Sequence, residues 1–356
     1  MAKLLFKKGN FRILCDDPGS LSASETNSLI KTAATTSHQS RETSKKTPEE
    51  FIKMLQNWGH FSALEHSWYT FGINSFNSLD WEIIGYRLYD ANNLFCITKR
   101  QNSLLVSGNS RMFNEAYLGG NEEAKKISGA LLWQLYQENP VLFSEPKKED
   151  RINPLLILVR NPELISKKEI LVHRAMTVEF NNCCRGFTHE DVRSRNGRKQ
   201  IASYTQESTR YVDYAKGDVN LDEFQIKFVL PYIDNFDLGQ TVSFAVDGKK
   251  YIFTPQQFTN LIEGWYRAIR RLGLKAEEAR QWLPIGIKSQ IVQTLNLNER
   301  RHWFFIRCNK EAHREIRTIA VGLLGECQKR FFGIFDDFVI ARDSRSAKFI
   351  GKNKLV

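Results

Sequence analysis

The chain is poor in the features that reveal a function at sight. Its six cysteines, Cys15, Cys96, Cys183, Cys184, Cys308 and Cys327, form no C-x-x-C pair, so neither a zinc site nor a disulfide framework is indicated. They read as reduced, mostly buried thiols. The apolar run at 154–159 is far too short to cross a bilayer, and MAKLLFKKGN lacks the apolar stretch of a signal peptide. A cytoplasmic protein with no membrane partner is therefore expected. There is no G-x-G-x-x-G, no Walker loop and no H-E-x-x-H, so a phosphate-bearing ligand must be held by side chains rather than by a glycine loop. Low-complexity tracts and arrays of repeats are also missing.

What is present is an ordinary globular balance, 42% hydrophobic and 26% charged over 356 residues. At roughly 100–200 residues per domain this allows two or three domains, or one domain with a large insertion. The formal charge of +11 attracts anions but does not separate nucleic acid from nucleotides. Much of the excess falls at 342–356, a basic tail expected to be solvated and partly disordered, with no chemistry assigned to it.

TPEEFIKMLQNWGH predicts a helix capped by Thr47, with Phe51, Leu55 and Trp58 on one face and Gly59 ending it. HFSALEHSWYTFGI then passes into an alternating strand, Tyr69, Phe71 and Ile73, and a second alternating stretch, Met176, Val178 and Phe180, is similar to it. The residues between, 74–174, carry the helix EEAKKISGALLWQLYQE and the linker SEPKKEDRINP and read as an insertion. Asp247-Gly248 marks a hairpin, and TPQQFTNLIEGWYRAIRRLG repeats the capped-helix pattern. The last helix is predicted as EAHREIRTIAVGLLGECQKR, with the stripe Ala312, Ile316, Ile319, Leu323 and Cys327 facing the core. Arg307 stands before it, where a helix N-terminus favours an anion.

The densest polar stretch is RSRNGRKQ followed by ASYTQESTRY. Arg193, Arg195, Arg198, Lys199 and Arg210 supply the charge and planar forks that suit phosphate, and Ser203, Thr205, Ser208 and Tyr211 could complete a cradle. Two further segments combine basic and polar residues within apolar framing, His60 to His66 and ARQWLP through TLNLNERRHWFFIR. Three such segments suggest one assembled site. A basic groove for single-stranded nucleic acid, with Tyr204 and Tyr211 as stacking platforms, is the alternative from another class.

HEDVRSR with ASYTQESTRY resembles the signature of the flavin-dependent thymidylate synthase (ThyX) family, an Arg-His-Arg triplet before a serine-rich stretch ending in Ser-x-Arg-Tyr. GHFSALEH resembles the family's early His-x-x-x-x-Glu-His segment. ARQWLP and NLNERRHWFFIRCNKEAHREIR resemble its C-terminal third. The resemblance implies an α+β fold with a mixed or antiparallel sheet flanked by helices, its catalytic domain made of 1–73 and 175–341 around the 74–174 insertion. It implies a homotetramer with shared sites, FAD as cofactor, NADPH and methylenetetrahydrofolate as co-substrates, and dUMP as acceptor.

By the same resemblance Arg307 and Ser208 are catalytic, and Glu190, Arg193, Gln206, Ser208, Arg210, Arg280 and Arg307 surround dUMP. Ser62, Glu65, Arg193, Ser194, Arg195, Ile201, Gln206, Asn296, Asn298, His302 and Glu311 fall at flavin positions, and His60 and Tyr211 at folate or network positions. No metal is implied. The pattern breaks at Ser194, where the family has histidine, at the inserted NGRKQ, at Glu311 and at Asn298, where arginine is usual. A hydroxymethylated product is a further alternative these departures leave open. LLVSGNSRMFNEAY at 104–117 echoes TLNLNERRHWF at 294–304, which predicts that the insertion packs near the site or a subunit interface.

Overall fold

Local signals account for most of the elements. Thr47 and Thr254 each cap a helix whose first residue is proline, and the residue three along, Glu50 or Gln257, reaches back to the cap's N–H. Gly59 and Gly273 follow these helices with φ of 69° and 96°, and Asp247 and Gly248 turn a hairpin with φ of 48° and 75°, conformations suited to glycine and aspartate.

The computed structural model describes residues 1–37, 40, 44–75, 95–193, 201–215, 225–234 and 236–351. In chain order the first elements are β1 (Lys3–Leu5), β2 (Asn10–Cys15), α1 (Ala23–Thr36), α2 (Pro48–Asn57), a 3-10 turn at Phe61–Glu65 and β3 (Tyr69–Ser75). There follow β4 (Cys96–Lys99), β5 (Leu104–Gly108), α3 (Ser110–Gly119), α4 (Glu122–Glu138), β6 (Leu156–Arg160), α5 (Lys167–His173), β7 (Ala175–Cys184), α6 (Arg185–Asp191) and β8 (Ala202–Gln206). The remainder comprises β9 (Lys227–Val229), β10 (Val242–Val246), β11 (Lys249–Phe253), α7 (Pro255–Arg271), α8 (Ala276–Ala279), β12 (Lys288–Asn296), α9 (Leu297–Arg307), α10 (Arg314–Arg330), β13 (Phe338–Ile340) and β14 (Ala347–Phe349). The architecture is α+β, as expected. Among the described residues no helix is long and apolar enough to cross a membrane.

Two four-stranded antiparallel sheets organise the chain, one in the order β2-β7-β12-β8 and the other in the order β4-β5-β3-β6. α9 and α10 cover the first, burying Met176, Val178, Phe180, Trp303, Phe304 and Leu323. α1 to α4 pack with the second around Ile30, Phe71, Ile73, Phe113, Leu131 and Leu132. Each of these side chains contributes roughly 1.5–3 kcal/mol on leaving water. Where the two halves meet, Trp68, Cys96, Val172, Ala175 and Ile201 form a small apolar seam.

Three expectations change. The strand at 69–75 pairs with strands of the 74–174 segment and not with Met176–Phe180: β3 lies between β5 and β6. The C-terminal segment is partly ordered, because β14 pairs with β13 and the Ala347 N–H donates to the Cys308 carbonyl. The last helix begins at Arg314, so Arg307 is the final residue of α9 and residues 308–313 separate it from the next helix.

Across the seam, His66 is fully buried with Nδ1 2.9 Å from Thr294 Oγ1 and Nε2 2.8 Å from Thr205 Oγ1. Burial pushes its pKa down to about 3 from an ordinary value of 6.5. A histidine depressed in the folded state contributes stability that is present above 6.5 and is lost as pH falls through 3. The thermal midpoint should therefore drop on acidification through this window, and the drop should be shallower in His66→Asn. An unchanged acid limb in the variant, followed by circular dichroism, contradicts this role.

Candidate active site

The candidate site is built where α6 lies against the end of β8 and the start of β12. α6 is short, and its fixed points are at its two ends. At the start, Arg185 Nη1 donates to the Glu207 carbonyl at 2.8 Å. Near the end, Glu190 offers its backbone carbonyl to Arg307 Nη2 and its carboxylate to Arg307 Nη1 at 3.6 Å. Five residues of helix separate these anchors by roughly 7–8 Å. α6 thus links the end of β8 to the end of α9.

Arg307 is largely buried, and burial holds its guanidinium below the usual arginine range. Its Nε has no partner among the described residues. His302, one turn earlier on α9, is also pushed down, first by burial and then by the Arg307 charge. His313 Nδ1 lies 4.0 Å from Glu190. Arg193 follows α6 on the surface, close enough for its charge to act on Arg307.

Behind this layer is a buried polar relay that the sequence did not disclose. Asp191 Oδ1 accepts from Trp303 Nε1 at 2.8 Å and from Gln293 Nε2 at 2.9 Å, while Gln293 Oε1 accepts from Arg300 Nη1. Asp191 and Arg300 are fully buried. Burial pushes the Asp191 carboxyl up to about 7 against the opposing pull of Trp303, Arg300 and Arg307, and it pushes Arg300 down. A signal was available: Arg300 lies three residues after Leu297 and four before Phe304, on the inward face of α9.

A second group forms at the end of β8. Arg210 Nε pairs with Glu277 at 2.7 Å, and Arg280 Nε donates to the Glu277 carbonyl at 3.2 Å. Ser208 Oγ accepts from the Arg210 N–H at 3.3 Å, and Tyr211 lies under the Arg210 guanidinium at 5.5 Å. Glu207 anchors this end: its carboxylate is almost wholly buried and pairs with Lys288 Nζ at 2.8 Å. Gln206 donates to the Thr188 hydroxyl and, at 3.5 Å, toward Ser289 Oγ.

The third group lies on the 3-10 turn that packs against β8. His60 precedes the turn, Ser62 is exposed on it, and Glu65 accepts from Arg111 Nη1 at 2.8 Å. Arg111 lies on α3, so the 74–174 segment reaches this turn.

Other expected residues are engaged elsewhere. Asn296 is fully buried as the cap of α9, accepting from the Glu299 N–H and donating to the Val172 carbonyl. Ile201 lies in the seam, and Asn298 is buried. Thr205 is taken by His66 and Ser203 is buried in the sheet, so neither joins a phosphate cradle. Glu311 is exposed beyond α9. Ser194, Arg195, Arg198 and Lys199, with the NGRKQ segment, lie outside the described residues.

A carboxyl raised in the folded state favours folding below its unfolded value, here 3.8, and loses that contribution as pH rises through about 7. Asp191→Asn keeps the oxygen facing Trp303 and Gln293 and removes the ionisation. Its thermal midpoint relative to the parent should therefore improve steadily between pH 4 and pH 8. A difference that is flat with pH contradicts a buried, titrating Asp191.

The chain can now be set beside known proteins. The family profile for thymidylate synthase complementing protein matches residues 132–331. The flavin-dependent thymidylate synthase of Pyrococcus abyssi is 34% identical over 163 residues, 46% of this chain and 58% of that protein. That of Pyrococcus horikoshii is 32% identical over 183 residues, 51% of this chain and 67% of that protein. The matched part of the chain thus spans little more than half the length of the Pyrococcus abyssi relative. The crystal structure of thymidylate synthase X from Helicobacter pylori with FAD and dUMP aligns at 16% identity over 60% of this chain and 93% of that one, with a TM-score of 0.32, an overlap too loose to carry weight. The profile takes in more than half of the sequence, including α6, β8, the Arg210–Glu277–Arg280 group and Arg307, and the chain belongs to the thymidylate synthase complementing protein family, that of the flavin-dependent thymidylate synthases.

Proposed function

We propose that the chain is itself a flavin-dependent thymidylate synthase, converting dUMP to dTMP with methylenetetrahydrofolate as carbon donor and NADPH as reductant. The observation that carries this reading is Arg307, a largely buried guanidinium tethered by Glu190, its Nε buried without a partner among the described residues. A fixed cation of this kind, aimed at a uracil carbonyl, stabilises the negative charge that develops as C5 becomes nucleophilic. Its pre-set tether means that little reorganisation accompanies that step.

Ser208, Arg210 and Arg280 are suited to the nucleotide phosphate. Arg210 pairs with the Glu277 carboxylate and Arg280 with the Glu277 backbone carbonyl, and a phosphate dianion would replace the carboxylate at Arg210 in a stronger, forked contact. Of the residues implied for FAD, Ser62, Glu65, Arg193 and His302 retain some exposure and fit a polar, anionic cofactor, whereas Asn296 is spent on its cap. A bound flavin supplies the hydride that completes the methyl group. Glu65 and Arg111 would orient it from the first half of the chain, and Arg193 and His302 from the second. No described residue favours a hydroxymethylated product or a strand-binding groove.

Assembly into a homotetramer is part of the same proposal. The outward face of α7 and the turn beyond it expose Phe258, Leu261, Trp265 and Trp282, an apolar patch of the kind that copies of a chain cover.

Arg307→Ala should leave the fold intact, lower turnover by on the order of 10²-fold or more, and weaken dUMP binding less than Arg210→Ala does. Titration calorimetry and single-turnover rates separate the two effects. Near-normal turnover in the Arg307 variant contradicts this function.

A further inference from the structure

The two four-stranded sheets share one plan. In one, β7 lies between β2 and β12, with β8 beyond β12; in the other, β3 lies between β6 and β5, with β4 beyond β5. Three strands follow in the same chain order, β7-β8-β12 and β3-β4-β5. The cross-strand pairs agree as well. Thr177 faces Thr294 as Thr70 faces Ser107, and Met176 faces Leu295 as Tyr69 faces Gly108. On the other side, Ser203 faces Thr294 as Cys96 faces Ser107, and Thr205 faces Val292 as Thr98 faces Leu105. The facing hydroxyls touch in both sheets, at 2.8 Å and 2.9 Å. Each third strand runs directly into an asparagine that caps the next helix, Asn296 for α9 and Asn109 for α3.

A histidine precedes each central strand, and each crosses to the other sheet. His66 sets Nδ1 on Thr294 and Nε2 on Thr205; His173 sets Nδ1 on Ser107 at 2.7 Å and Nε2 on Thr98 at 2.8 Å. The same nitrogen meets the equivalent hydroxyl in both. The number of residues from His66 to Thr98 equals that from His173 to Thr205.

The outer strands are exchanged between the halves. β2 precedes the first histidine but joins the second sheet, and β6 precedes the second histidine but joins the first. ILCDDPGSLS at 13–22 parallels ILVRNPELIS at 157–166, and the closing serines, Ser22 and Ser166, cap α1 and α5 by accepting the N–H of a glutamate three residues on. The registers of these two outer strands differ, so the equivalence there is one of order rather than of residue pairs.

The halves differ where the site lies. Between β8 and β12 the second half carries 207–287, which brings Ser208, Arg210, Glu277 and Arg280; between β4 and β5 the first half has only the turn 100–103. The position as far past Asn109 as Arg307 is past Asn296 is Gly120, beyond the end of α3. In the opposite direction, the Glu65–Arg111 pair of the first half is matched by Val172 and Asn298 in the second. Losing one member of such a pair strands a charge; here both are gone.

We propose that the chain is a tandem pair of one strand-and-helix unit, folded face to face about an approximate two-fold axis, in which only the second unit keeps a nucleotide site. The chain then binds one nucleotide per pair of units. The first unit contributes the His60–Glu65 turn, Arg111 and the opposing wall. This rests on the reading of the Arg210–Arg280–Arg307 set as the dUMP site.

The test is a binding titration of the full chain with dUMP in the presence of FAD, with occupancy counted by native mass spectrometry. One dUMP per chain is expected, and two per chain overturns the proposal. No binding overturns the dUMP reading, and the one-site claim with it. The two-fold relation is tested separately by His66→Ala and His173→Ala, each of which removes an imidazole that bridges two hydroxyls of the opposite sheet. Comparable falls in thermal midpoint, roughly 4–8 °C each, are expected. A fall confined to one variant overturns the two-fold relation whatever the titration gives.

Discussion

The structure depends on a pair of buried imidazoles that each bridge two hydroxyls on the opposite sheet. A buried neutral histidine with both nitrogens satisfied costs little to hold and is expensive to disturb, because either partner left alone loses its solvation without compensation. These contacts fix how the 3-10 turn carrying Ser62 and Glu65 lies against β8. They thereby set the first half's polar residues beside the strand that leads to Ser208 and Arg210.

On the far face of the same sheet, the desolvated relay Asp191–Gln293–Arg300 does comparable work. It ties the end of α6 to α9 through β12, and Trp303 closes it with a third hydrogen bond. Arg307 and Glu190 sit one layer out from this relay, so their geometry is inherited from buried groups rather than from flexible surface chains. A guanidinium held this way is already oriented before any ligand arrives, which is what electrostatic stabilisation of a developing charge requires.

Much of this was legible in the sequence, for identifiable reasons. Capping boxes and the Asp-Gly turn are decided by a few adjacent residues, and α2, α7 and the β10–β11 hairpin follow from them. The likeness of Met176, Val178 and Phe180 to Tyr69, Phe71 and Ile73, and the echo of 104–117 in 294–304, were both visible, but their common cause was not. Between ILCDDPGSLS and ILVRNPELIS only Ile, Leu, Pro and Ser recur, and the loops between equivalent strands differ greatly in length. Strand exchange hides the relation further, since each half completes its sheet with a strand from the other. The sequence shows Arg307 as a basic residue ahead of a helix, but not the turn at Cys308 to His313 that separates α9 from α10, nor the tether to Glu190. Asp191 and Arg300 went unnoticed because charged residues ordinarily face water, and only the packing of Trp303 against them makes the exception.

The central claim is that this chain performs a methyl transfer to uracil on its own arginine set. The most direct measurement is the mass of the nucleotide after dUMP is incubated with the protein, FAD, NADPH and methylenetetrahydrofolate under low oxygen. The account predicts a methyl-sized gain at C5 that requires all four small molecules. Unchanged dUMP from a folded protein with flavin bound and reducible would contradict it.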